Sequence, residues 1–121
     1  IKLTILEVPY NPNPCISGLR VFGIGAGEKP VVPSFEATRS EDELDLLISI
    51  QGENAVGYNI LWGHEPEKLY HSWLIFHERD KVYSKEKMEK RIGALVKDQK
   101  YYVRVDAFNE NGITEGVVIP L

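Results

Sequence analysis

Cysteine is nearly absent from this chain. The single one, Cys15, has no partner for an internal disulfide, so any fold must rest on its core rather than on covalent staples. A disulfide-free domain says nothing about compartment, and Asn13-Pro14-Cys15-Ile16 supplies no local base to activate a thiol. Surplus positive charge is lacking too. Fourteen Lys and Arg stand against eighteen Asp and Glu, for a net charge of −4, with both signs interspersed. No basic stripe is available to neutralise phosphates, which argues against nucleic acid as a partner. No apolar run approaches the ~20 residues that a helical membrane span needs, so no membrane partner is expected. There is no initiating Met and no signal-peptide pattern, and the expectation is a piece of a longer protein.

Motifs that carry chemistry are also missing. His64, His71 and His77 are scattered, with no His-x-x-x-His pair and no Cys-x-x-Cys, so neither metal nor cofactor is expected. No Gly-x-Ser-x-Gly elbow is present. The glycine pattern GIGAG at 23–27 resembles a phosphate loop, but Pro30 and Pro33 follow where a helix would have to open. A flexible connector over 25–30 is the reading adopted. Two carboxylates flanking a glycosidic bond would have to stand about 5–10 Å apart. The obvious acids, Glu41, Asp42, Glu43, Glu65 and Glu67, fall in turns and are expected to be solvated. Catalysis by this chain is therefore not expected.

What is present is a run of short alternating segments. With 121 residues, 43% hydrophobic and 26% charged, the chain can build one ordinary core. Strands are predicted over 1–8 and 16–24, separated by a proline-rich loop. From Pro33 onward further strands fall at regular spacing, over 34–38, 44–51, 56–62, 69–77, 88–92, 101–108 and 113–120. Alternation puts Leu46, Ile48 and Ile50 on one face of the second of these, and Tyr58, Ile60 and Trp62 on one face of the third. In 69–77 both alternate sets contain large apolar residues, and the facing stays open. Met88, Ile92 and Leu95 also fit helical spacing with Ser84 as a cap, but strand is preferred.

The stretch LVKDQKYYVRVDAFNENG (95–112) decides that preference. Its YYVRVDAF segment alternates Tyr101, Val103, Val105 and Ala107 inward. Leu95 followed six residues later by Tyr101 has the spacing of a tyrosine corner, which requires a strand just before it. Asn111-Gly112 supplies residues that tolerate positive φ in a tight turn. These features predict an all-β fold: a seven-stranded antiparallel β-sandwich over 31–121 with a β-containing N-terminal extension. Leu19, Val21 and Phe22 in that extension need burial, which predicts order at least over 16–24.

The motifs GYNILWG (57–63), HEPEKLY (64–70) and LVKDQKYYVRVDAFNENGITEG (95–116) resemble a fibronectin type III domain. Val103 stands where an antibody-type domain has a cysteine two residues after the corner tyrosine, which excludes the disulfide form. Ile50 stands where many type III domains carry tryptophan. The hairpin Asn109-Glu110-Asn111-Gly112 holds no Arg-Gly-Asp, so no adhesion function is carried over. More narrowly, ISGLRVFGIGAGEKP (16–30), VGYNILWGHEPEKLYHS (56–72) and YYVRVDAFNENGITEG (101–116) resemble C-terminal regions of bacterial family 43 glycoside hydrolases, of the xylosidase and arabinosidase class. That resemblance implies a remnant of a preceding β-sandwich at 1–24, a hinge at 25–30 and a type III domain at 31–121. It implies an accessory or spacer module of a carbohydrate-active enzyme, in an extracellular or periplasmic setting, with adjacent domains of the same parent chain as partners.

A weak polysaccharide-binding surface is the residue-level candidate, because sugar C–H faces stack on exposed aromatics. Tyr102 and Phe108 should point away from the core by alternation, and Trp73 is the third candidate. The competing reading leaves Trp73 packed and the other two covering neighbours on a sheet face. Trp62 shares a face with Tyr58 and Ile60 and is assigned to the core. A different class, a protein-interaction module pairing through an exposed sheet edge, is the alternative.

Overall fold

The computed structural model describes residues 2–7, 23–76 and 87–121. Eight strands follow in order: β1 (Ser34–Arg39), β2 (Asp45–Gln51), β3 (Gly57–Gly63), β4 (His71–Phe76), β5 (Met88–Gly93), β6 (Tyr102–Asn109), β7 (Gly112–Thr114) and β8 (Ile119–Pro120). The described residues contain no helix. One sheet has the order β1-β2-β5; the other runs β4-β3-β6-β7, with β8 also paired to β6. Every pairing is antiparallel.

The alternating residues make this arrangement necessary. Leu46, Ile48 and Ile50 from the first sheet meet Tyr58, Ile60, Trp62, Val103, Val105 and Ala107 from the second in one buried cluster. The central strands of each sheet bury one face in this cluster, so the two sheets cover each other. Val103 is fully buried among these aliphatic neighbours.

The corner has the expected geometry. The Tyr101 ring is buried, and its hydroxyl accepts the Val96 N–H at 3.1 Å. Asp98 turns the chain with φ of 61°, and Leu95 N–H donates to the Leu44 carbonyl at 2.9 Å. That last bond continues the β2–β5 ladder past Gly93, which is why Met88–Gly93 is a strand and not a helix. Ser84, the alternative cap, lies outside the described residues.

Several expectations change. Residues 2–7 form no strand. The strand expected over 16–24 lies, apart from Gly23 and Ile24, outside the described residues. Cys15 and His77 lie outside the described residues. The final strand, expected as one piece over 113–120, is divided into β7 and β8. At the hairpin only Gly112 uses a positive φ, 140°; Asn111 does not. Residues 25–30, expected as a flexible connector, are hydrogen-bonded along their length to the β6–β7 hairpin and the β2–β3 loop, because asparagine amides there meet the connector backbone.

The β1–β2 turn gives one pH prediction. Asp42 accepts hydrogen bonds from the Ser40 hydroxyl (2.5 Å) and the Leu44 N–H (3.3 Å). The Ser40 hydroxyl is the larger cause holding its carboxyl below the usual aspartate value. A depressed carboxyl favours the folded state at neutral pH, and that contribution is lost as pH falls through the folded-state value. In an NMR pH series Asp42 is expected to titrate below ordinary aspartates, about 3.9, and Ser40→Ala to return it towards that value. An unmoved midpoint in the variant would rule the turn hydroxyl out as the cause.

Candidate functional site

The register fixes where the three aromatic candidates stand. On β4, His71, Trp73 and Ile75 pair with Trp62, Ile60 and Tyr58, so all three belong to the inward-facing set. Only Ile75 is fully covered. Trp73 stands at the open side of the sandwich, 41% exposed, with Lys90 Nζ 5.5 Å from its ring centroid. Lys90 belongs to the inward-facing set of β5, with Met88 and Ile92, and its stem reaches out of the rim. Trp73 is thus neither core nor outward-facing: it closes the gap between β4 and β5 beneath a lysine.

Tyr102 and Phe108 do point outward, on the opposite face of the second sheet, with Arg104 and Asp106 between them. Six residues along one strand separate them by about 20 Å. Lys100 Nζ lies 5.2 Å over the Tyr102 ring. The neighbouring Tyr102 hydroxyl is the largest cause raising the Lys100 amine above its usual value. Phe108 stacks on Phe76, with centroids 6.2 Å apart and planes within 11°. The structure therefore brings none of the three together. It gives two cation-covered rings and one aromatic pair rather than a flat platform.

The Phe76–Phe108 pair borders an open recess of about 780 Å³, which Ile24, Asn111 and Ile113 also line. Gly57 lies beneath it, because any side chain there would overlap the Phe108 ring and the Ile75 carbonyl. The outer face of the first sheet holds a second shallow recess of about 520 Å³. Glu36 pairs with Ser49 and Ser49 with Glu89, so the three form one row across β1, β2 and β5. The Ser49 hydroxyl has no hydrogen-bond partner among the described residues. Both glutamates are exposed on this open face, where water reaches them freely. Sequence reading missed this row, since it depends on register between strands far apart in the chain.

His64 and His71 serve the fold. His64 Nδ1 lies 3.0 Å from the Lys100 carbonyl, and its ring packs on Tyr101 at 4.4 Å. His71 stacks on Trp62 at 5.5 Å. Among the described residues no group of three His, Cys, Asp or Glu stands together as metal ligands. Among the described residues the one buried carboxylate, Asp106, faces Arg104 at 2.9 Å and accepts the Gly116 N–H at 3.0 Å. Compared with known proteins, the chain matches no family model, no curated protein and no solved structure.

Proposed function

We propose that this chain is a non-catalytic accessory or spacer module of a larger carbohydrate-active enzyme, built on a fibronectin type III-like sandwich. Pairing of β4 with β3, rather than with β5, supports the type III reading over the antibody constant type, whose fourth strand joins the other sheet. The buried aliphatic Val103 supports it as well. The observation that carries the spacer reading is the commitment of polar groups to holding the fold. The buried Asp106 is bound to Arg104 and Gly116, and His64 and His71 pack on Tyr101 and Trp62. The parent enzyme's class rests on the sequence resemblance alone.

One experiment separates the outcomes. Xylo- and arabino-oligosaccharides are added to millimolar concentration while NMR shifts, tryptophan fluorescence and hydrolysis products are followed. A plain spacer gives neither shift nor product. Saturable shifts around Trp73 that vanish in Trp73→Ala, with the fold intact, would make the module a weak sugar binder. Turnover of either oligosaccharide would sink the non-catalytic reading.

A further inference from the structure

The connector at 25–30 is hydrogen-bonded to the sandwich at Gly25, Gly27, Glu28, Lys29 and Pro30. Gly25 N–H donates to the Glu110 carbonyl at 2.7 Å, and Gly27 N–H to Asn111 Oδ1 at 3.0 Å. The Glu28 carbonyl accepts Asn109 Nδ2 and Asn111 Nδ2, each at 2.9 Å, with Asn54 Nδ2 at 3.3 Å. The Pro30 carbonyl accepts the Thr114 hydroxyl at 2.6 Å, and Val31 N–H reaches the Glu53 carbonyl at 3.1 Å.

The three asparagines are themselves tied together. Asn109 Nδ2 also donates to the Asn54 carbonyl at 2.9 Å, and its Oδ1 accepts the Asn111 N–H at 2.8 Å. Asn54 holds its place with φ of 57°, a conformation asparagine tolerates better than most residues. Asn111 grips the connector with both ends of its amide, which no other residue type of its size could do. Gly25 and Gly27 acquire a different meaning. A β-carbon at either would overlap the Asn111 amide, so glycine here permits close approach rather than motion.

We infer that residues 25–30 are a locked strap, with Asn54, Asn109 and Asn111 as the lock, so that the chain enters the sandwich on a fixed bearing. The inference stands on these bonds and holds whether or not the sandwich belongs to a carbohydrate-active enzyme. Its consequence is that the sandwich acts on the chain ahead of residue 23 as a rigid arm and not as a tether.

The test is backbone ¹⁵N relaxation and amide exchange on the full chain. Gly25 and Gly27 are expected to show order parameters near the sheet value of about 0.85 and protected amides. Asn111→Ala is expected to drop the strap below about 0.6 while β2, β3 and β6 keep their spectra. Asn111→Asp supplies a second readout that does not depend on the alanine variant folding. At neutral pH it sets a carboxylate oxygen against the Glu28 carbonyl and should loosen the strap. Protonation below about pH 4 restores a donor and should tighten it again. A strap that is mobile in the unmodified chain overturns the inference. So does one that stays rigid in Asn111→Ala, or one unmoved by pH in Asn111→Asp.

Discussion

Tyr101→Ala is expected to cost about 3–5 kcal/mol of stability, the range for emptying a large aromatic site in a core. Tyr101→Phe should cost only about 1 kcal/mol, the value of one hydrogen bond. The ring is nearly fully buried, touches His64 on one side and has the Arg39 guanidinium 5.4 Å from its centroid. Arg39 in turn donates to the Val96 and Gln99 carbonyls, so the turn before β6 is held from both ends of the ring. Removing the whole side chain therefore opens a cavity and frees the turn. Removing the hydroxyl leaves one Val96 N–H to find water. Urea melts of both variants check this at constant slope. Equal losses would sink the assignment of Tyr101 as a corner.

The second large effect is expected at Asp106, where Asp106→Ala should lose about 2–4 kcal/mol, below the full cost of breaking a deeply buried ion pair because Arg104 keeps some solvent. By alternation Asp106 belongs to the outer face, yet it is only 5% exposed. Residues 115–118 leave the ladder between β7 and β8 and cover it, and its Oδ1 takes the Gly116 N–H that no strand partner receives. Gly116 sits so close to the Val105 carbonyl that any side chain would overlap it. Asp106→Asn, which keeps an acceptor for Gly116, should lose about half as much. A double-mutant cycle with Arg104→Ala isolates the pair; coupling of at least about 1 kcal/mol is expected. Additive losses, or an alanine variant within about 0.5 kcal/mol of the parent, would remove Asp106 as the pin of the divided strand.

That division could not be read from the sequence, because it depends on one carboxylate meeting an amide ten residues away across a turn. The central strands could. Tyr58, Ile60 and Trp62, like Val103, Val105 and Ala107, alternate cleanly because each strand has the core on one side and solvent on the other. β4 was ambiguous for a physical reason. It is at the end of its sheet, so its inward set is only partly covered, and Trp73 and His71 remain exposed there. Alternation correctly sent Tyr102 and Phe108 outward, but it could not show the lysine over one and the second phenylalanine against the other. The connector reads as flexible in the sequence because glycine has two uses, freedom and close approach. The asparagines that hold it lie 25 to 84 positions further along the chain.

The register of the central pair bears on how the chain folds. Gly57 pairs with Phe108 and Gly63 with Tyr102, so β3 cannot find β6 until a long intervening segment has closed. The first sheet has the same problem, since β2 must find β5 across the whole of β3 and β4. Such non-local pairing places folding in the milliseconds-to-seconds range, slower than for helical domains of similar size. Substitutions in β3 and β6 should then slow folding if this pair forms the nucleus. Those in β4, which is joined to the sheet through β3 alone, should chiefly speed unfolding.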